Sequence, residues 1–310
     1  MVLNLEHVVS FLAVLRTRSF RAAAHERALS QATVSQHIQK LEAALSTCLI
    51  ERSHSGCSPT AAGMALLPHA ESLMHINARA LNLNLSSQRV ICVGASSNIG
   101  VYLLQPYIKS FLEKTDGQYP VETVIHQNPA IADKLESGEI DVAIMEWWDD
   151  RPGYIARPWR QEKLVVIVAP DHPWAKLPEV PRTLLRDAPL LGGEPGTGTG
   201  RLLLQHMGAP AHGVKGAMQL GSTEAVKRWV QAGLGVSVVL SSTVVEECCA
   251  GTLLAVPLEG APISKTLYVI WRATLSPDSL PLHLAKWLLD YNTAAANTPQ
   301  EAAPHTCTAQ

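Results

Sequence analysis

Residues 19–45, SFRAAAHERALSQATVSQHIQKLEAAL, carry two helical patterns separated by a short break. Ser19 stands where an N-cap belongs, and Phe20, Ala23 and Ala24 recur on one side of the helix that follows. Alanines at that contact let a second helix approach closely. Ala28-Leu29-Ser30 makes the turn, and Ser30 is placed to cap the next helix. There Val34, Ile38, Leu41 and Leu45 fall within one narrow stripe. The opposite side carries Ala32, Gln36, Gln39 and Lys40, with Thr33 and Ser35 on its flanks. Such a face suits a nucleic-acid duplex. Glutamine can contact adenine through two hydrogen bonds, small hydroxyls reach base or backbone, alanine and the threonine methyl can touch a thymine methyl, and lysine finds phosphate. Composition alone does not separate this face from an ordinary solvated one. The short turn and the partner helix do, because together they form a helix-turn-helix.

The rest of the chain bounds what such a head can serve. At 310 residues and 47% apolar there is room for two domains with sizeable cores. There is no run of about 18 or more apolar residues, so no membrane span is expected. The opening MVLNLEHVVSFLAVL lacks a basic n-region, carries Glu6 and His7, and has no small-residue cleavage site. It does not read as a signal peptide, and a cytoplasmic protein is expected. The cysteines at 48, 57, 92, 248, 249 and 307 show no C-x-x-C or paired spacing, which is the pattern of reduced thiols. Residues 1–87 hold seven Lys and Arg against five Asp and Glu, whereas residues 88–310 hold eighteen against twenty-two. A mildly basic head on an acidic body is compatible with a polyanionic partner.

Thr60 is placed to cap a long helix reaching about Leu85, with Met64, Leu67, Leu73, Met74, Leu81 and Leu85 on one side and Pro68 inside it as a candidate kink. That apolar side is too long for one small domain to cover and calls for a partner helix, either a second copy or the chain's own body. From Arg89 the pattern changes to short apolar runs alternating with helical ones: RVICVGAS, IGVYLLQPYIKSFLEKT, VETVIHQ, PAIADKLESGE, IDVAIME, EKLVVIVAP, and later TEAVKRWVQAGLG and VSVVLS. This alternation predicts an α/β body with parallel sheets covered on both faces.

At this point residues 3–85 resemble the winged helix-turn-helix and linker helix of LysR-type transcriptional regulators, through FLAVLRTRSFRAAA, LSQATVSQHIQKLEAAL, LIERS and SPTAAGMALL. The body resembles the effector-binding domain of the same family, through GASSNIG, LESGEIDVAIME, VIVAPDHPWA and GSTEAVKRWVQAGLGVSVV. The resemblance implies an all-α winged helix-turn-helix at 1–59, a linker and dimerisation helix at 60–87, and a two-lobed α/β body at 88–292 similar to periplasmic binding proteins. Lobe 1 would take about 88–163 and 267–292, lobe 2 about 164–266, and 293–310 would be a disordered tail. It implies a homodimer or homotetramer on double-stranded operator DNA, with Gln31, Ala32, Thr33, Ser35 and Gln36 in the major groove and Arg52 on phosphate; Ser30, Gln39, Lys40 and His54 are the further candidate DNA contacts. Four departures stand out. The usual proline is Ala32, the usual glycine after the recognition helix is Ser46, the usual aromatic before Glu51-Arg52 is Ile50, and the wing SHSGCS has no Lys or Arg. Fewer phosphate contacts, and a shallower salt dependence, follow from that wing. Cys57 within it has no neighbouring cation and reads more readily as an inert thiol than as a redox sensor.

Three strand ends in the body lead into hydroxyl-bearing helix starts: Ser96-Ser97 with Asn98, Thr197-Gly198-Thr199, and Ser222-Thr223. Each pair alone reads as a helix cap. Converging on the cleft the family uses, they offer N–H and O–H donors to a small anion. Only Arg201 and Lys215 add positive charge, so recognition through neutral donors is expected. Glu146 and Glu194 beside the site could accept from a protonated oxyanion and repel a fully ionised one. GASSNIG, EPGTGTG and LGSTEA look most like the family members tied to sulfur, carbon-fixation and inorganic-anion metabolism. The expected effector is an oxyanion such as sulfite, phosphate or phosphite, or a small carboxylate. Two other classes compete. A solute-binding protein of a transport system would share the body but has no use for residues 19–45. A P-loop enzyme is suggested by GEPGTGTGR, yet Thr199 stands where its lysine belongs. No catalytic constellation or metal spacing is present, so neither enzyme activity nor a cofactor is expected.

Overall fold

The computed structural model describes residues 2–53, 56–82, 90–192, 198–207 and 220–297. The chain divides into two compact units, residues 1–89 with 133–140, and residues 90–132 with 141–310.

In the first unit α1 (Leu5–Thr17), α2 (Phe20–Glu26) and α3 (Gln31–Leu45) pack around Val8, Phe11, Val14, Phe20, Ala23, Ala24, Val34, Ile38 and Leu41. The caps are local and explicit. Ser19 Oγ accepts from the Ala22 N–H at 3.3 Å and Ser30 Oγ from the Thr33 N–H at 3.0 Å. Leu45, expected as the fourth rung of the buried stripe, is 36% exposed instead, at the last residue of α3. β1 (Ile50–Ser53) and β2 (Gly56–Pro59) form the antiparallel wing. Glu42 ties α3 to this wing by accepting from the Leu49 N–H at 2.8 Å. Thr60 Oγ1 accepts from the Gly63 N–H at 3.0 Å and opens α4 (Ala61–Asn82), which runs unbroken through Pro68.

At the end of α3, Ser46 adopts φ 54, ψ 33, and the N–H groups of Ser46 and Thr47 return to Ala43 and Glu42. That is a left-handed C-cap, which a Cβ-bearing residue adopts at a cost. Ser46→Gly is expected to raise the stability of the head by about 0.5–1 kcal/mol, read as a shift in its urea midpoint. An unchanged or lowered midpoint would count against strain at this cap.

The second unit contains β3 (Ile91–Ser96), α5 (Ser97–Tyr102), α6 (Gln105–Lys114), β4 (Val121–His126), α7 (Asn128–Ser137, shared with the first unit), β5 (Val142–Met145), β6 (Tyr154–Val168), α8 (Arg182–Asp187), α9 (Gly198–Met207), α10 (Thr223–Gln231), β7 (Ser237–Leu240), α11 (Val245–Cys249), β8 (Leu254–Val256), β9 (Ser264–Arg272) and α12 (Leu280–Asn297). Strand order is β4-β3-β5-β9-β6-β7, with β8 also on β6. β3, β4 and β5 are parallel, but β9 runs antiparallel to β5 and β6, and β7 and β8 run antiparallel to β6. The expected all-parallel sheets are therefore mixed. The antiparallel partners are strands brought in from farther along the chain: β9 enters between β5 and β6, and β7 and β8 pair with the second half of β6.

β6 is the spine. Its residues Tyr154–Lys163 pair with β9, and Leu164–Val168 pair with β7 and β8. One core gathers on the first half (Ile91, Val93, Val142, Ile144, Leu267, Val269, Leu284, Leu288) and another on the second (Leu164, Val166, Val168, Val180, Leu190, Val236, Val238, Val256). The return into the first core begins at Ser264, three residues before the expected 267. The expected single helix after β3 breaks at Leu103-Leu104, and Pro106, which lacks an N–H, opens α6. At the C-terminal end α12 continues to Asn297, so residues 293–297 are helical and not part of a disordered tail. No helix among the described residues is long and apolar enough to cross a membrane.

Candidate functional site

The head presents one polar face. Ser30, Gln31, Ala32, Gln36, Gln39 and Lys40 are exposed, and Thr33 and Ser35 are partly so, while Val34, Ile38 and Leu41 between them are buried. The Ser30 and Thr33 hydroxyls lie 2.8 Å apart and serve the cap, while Gln31, Gln36, Gln39 and Lys40 are exposed on the same face. On the inner flank, Ser10 Oγ and His37 Nδ1 are 2.8 Å apart, fixing α3 against α1. Arg52 lies on β1, and His54 falls outside the described residues.

In the body, the two cores meet at a polar chain. Asn98, in the first turn of α5, donates through Nδ2 to Glu146 Oε1 at 2.9 Å, and its Oδ1 accepts from Thr223 Oγ1 at 2.6 Å. The other Glu146 oxygen is ion-paired with Lys265 of β9. Glu146 is 9% exposed and Lys265 3%. The Glu146 N–H is held by Asn128 Oδ1 at 3.0 Å, and Asn128 also donates to the Trp147 carbonyl at 3.0 Å. Gly198 opens α9 directly over the pair: a Cβ there would lie 2.4 Å from Lys265 Nζ and 3.0 Å from Trp147 Cδ1. Thr199, next on α9, is 9% exposed.

The three hydroxyl pairs take different parts. Ser96 is 1% exposed, makes no cap bond, and its hydroxyl has no hydrogen-bond partner among the described residues. Ser97 is partly exposed beside it. Ser222 is spent on capping α10, accepting from the Ala225 N–H at 3.1 Å, whereas Thr223 reaches across to Asn98. Glu194 and Thr197 lie outside the described residues, as does Lys215. Two expectations change. Positive charge at this junction includes Lys265, and Glu146 is neither solvated nor open, since both its oxygens are engaged. Lys265 did leave a signal: in SKTLYVIWR it shares the inward phase of Leu267, Val269 and Trp271, where a lysine is out of place. Asn128, at a helix start, left none.

With this geometry in hand, comparison with known proteins is direct. Residues 5–64 match the bacterial regulatory helix-turn-helix family of lysR type, and residues 85–293 match the LysR substrate binding domain. The chain is 47% identical over 199 residues (64% of this chain, all of the other) to PtxE of Stutzerimonas stutzeri, described as an HTH-type transcriptional regulator. It is 29% identical over 281 residues, 87% of this chain and 88% of the other, to the RuBisCO operon transcriptional regulator of Acidithiobacillus ferrooxidans. A full-length OxyR variant from Pseudomonas aeruginosa matches in structure with a TM-score of 0.63 at 25% identity, covering 94% of this chain and 95% of that one. With a capped reading helix on a winged head and a body of two cores on shared strands, the chain belongs to the LysR-type family of DNA-binding transcriptional regulators, which are not enzymes and carry a substrate-binding domain for an effector.

Proposed function

We propose that this regulator reads its operator with Gln31, Ala32, Thr33, Ser35, Gln36, Gln39 and Lys40, with Ser30 at the helix cap and Arg52 and His54 on phosphate, and that its effector is a small oxyanion. The observation that carries the effector reading is the buried, unpartnered Ser96 hydroxyl beside the Asn98–Glu146–Lys265 chain. Such a hydroxyl has a desolvation cost that a ligand oxygen would relieve. Ser97, Gly198 and Thr199 are the neighbouring donors, with the Thr223 hydroxyl committed to Asn98, and the sequence adds Ser222, Glu194 and Thr197 as candidates. Lys265, neutralised by Glu146, leaves little net charge, which suits a singly charged or protonated species such as sulfite, phosphate or phosphite, or a small carboxylate. A relative named for the RuBisCO operon agrees with the carbon-fixation likeness of the sequence.

Met64, Ile76 and Leu81 are 55%, 48% and 67% exposed on α4. An apolar side left open on a connector favours a homodimer through this helix, or a tetramer built from two. Paired reading helices then meet paired half-sites.

Thermal unfolding against a panel of these oxyanions and carboxylates tests the effector. A ligand at 100 times its Kd adds roughly 2.7 kcal/mol, visible as a raised midpoint. Ser97→Ala with Thr199→Ala is expected to abolish that shift and spare operator binding; no shift with any anion sinks the oxyanion reading. Gln36→Ala is expected to weaken operator binding by about 1–3 kcal/mol while leaving random-sequence DNA nearly unaffected. Equal losses on both would assign Gln36 to the phosphates.

A further inference from the structure

Beside the polar chain, α5 and α10, which flank different cores, touch through a second set of groups. Tyr102, the last residue of α5, donates its hydroxyl to Glu224 Oε2 at 3.2 Å. Lys227 Nζ stands 4.7 Å from the centroid of the Tyr102 ring. Tyr102 lies four residues after Asn98, so both project from one side of α5, onto the first turns of α10.

Lys227 is the hub on the other side. It is 3% exposed, and its ammonium reaches Glu247 at 2.6 Å, Glu224 at 2.9 Å and the Thr243 carbonyl at 3.1 Å. Burial opposes its charge, but the bonds to Glu247 and Glu224 outweigh burial and hold Lys227 above its ordinary range. Lys227 in turn holds the Glu224 carboxyl below its usual range, with Arg228 adding to this at 3.3 Å. The hub is complete without Tyr102. All its partners but the ring lie on α10, α11 and the short turn at Ser241–Thr243.

We infer that this contact is an interlobe latch, with Tyr102 the moving bolt and the Lys227–Glu224–Glu247 cluster a fixed keeper. Three features separate a latch from ordinary packing. The bolt donates one hydrogen bond to a half-exposed carboxylate and sets its ring and hydroxyl against a lysine whose charge Glu247 and Glu224 already meet, so it can leave without stranding a buried charge. Tyr102 is a half-buried side chain packed against the first core and not one of its buried members, so little apolar surface is uncovered when it leaves. Thr223, adjacent to Glu224, bridges to Asn98, so opening the bolt also loosens the polar chain. The latch does not depend on which ligand the cleft takes.

Amide hydrogen exchange on the full-length protein tests it through reciprocity. Tyr102→Phe, which keeps the ring and removes the hydroxyl, is expected to speed exchange of α10 across the lobe boundary. Glu224→Gln is expected to speed exchange of α5. Each change should be on the order of 3–10-fold, with the strands of both cores unmoved. Tyr102→Ala, which also removes the ring, should exceed Tyr102→Phe. The Tyr102→Phe/Glu224→Gln double variant should lose no more thermal midpoint than the larger single loss, since both break one contact. Faster exchange confined to the lobe that carries the substitution, or fully additive losses, would overturn the latch.

Discussion

Gly63→Ala is expected to cost the helix-turn-helix head about 3 kcal/mol, a large share of a small domain's stability. The sign runs against intuition, because alanine in place of glycine inside a helix ordinarily gains about 1 kcal/mol. Here the added Cβ would lie 2.1 Å from the Leu49 carbonyl oxygen and 3.2 Å from both the Leu49 carbonyl carbon and Pro59 Cβ. A flexible side chain could move aside; this oxygen belongs to the backbone. It accepts from the Thr60 N–H at 3.0 Å, and Thr60 Oγ1 donates to the Cys48 carbonyl at 2.7 Å. Leu49 itself is 1% exposed in the core. Relief therefore requires α4 to pull away from the start of the wing, dragging the Thr60 cap with it. Urea denaturation of the head, followed by circular dichroism, gives the answer. A variant as stable as wild type would show that α4 does not sit this close to Leu49.

Lys265→Met is expected to be comparably severe, at about 3–5 kcal/mol, for a different reason. The ion pair with Glu146 is closed to solvent, with 3% and 10% of the two side chains exposed. Removing the ammonium leaves a carboxylate in low dielectric with only Asn98 as a side-chain donor. Methionine fills the lysine's volume, so the loss reports charge and not a cavity. Combining Lys265→Met with Glu146→Leu should recover most of the loss, because a buried pair contributes little net stability over apolar residues of similar shape. Chemical denaturation midpoints of the two singles and the double decide it. A double variant as unstable as the summed singles would mean that the two charges do not depend on each other.

These two sites show where sequence is legible and where it stops. The helix starts at Ser19, Ser30, Thr60 and Ser222 are written locally: a hydroxyl followed two or three residues on by the N–H it accepts. The buried stripe of Val34, Ile38 and Leu41 is equally local, and it fails only at Leu45, the last residue of α3. Lys265 was half legible, since its phase with Leu267 and Val269 marked it as inward, but its partner Glu146 lies 119 positions away. Tyr102 and Glu224 are 122 apart and carry no mutual signature in the chain. The first ten residues of β6, including Arg157-Pro158-Trp159-Arg160, resist reading for another reason. They alternate poorly because pairing with β9, not side-chain burial, keeps them extended.

β6 and β9 run side by side from Tyr154–Arg272 to Lys163–Ser264, with one irregularity at Pro158/Arg160. Each strand carries part of both cores, or leads directly into it. The lobes are therefore joined by a hydrogen-bonded ribbon and not by a single free strand. A two-stranded ribbon is the form of sheet that twists most, so it can take up rotation along its length. A signal entering at one core would reach the other as rotation about the ribbon axis, taken up first at the irregularity between Pro158 and Arg160.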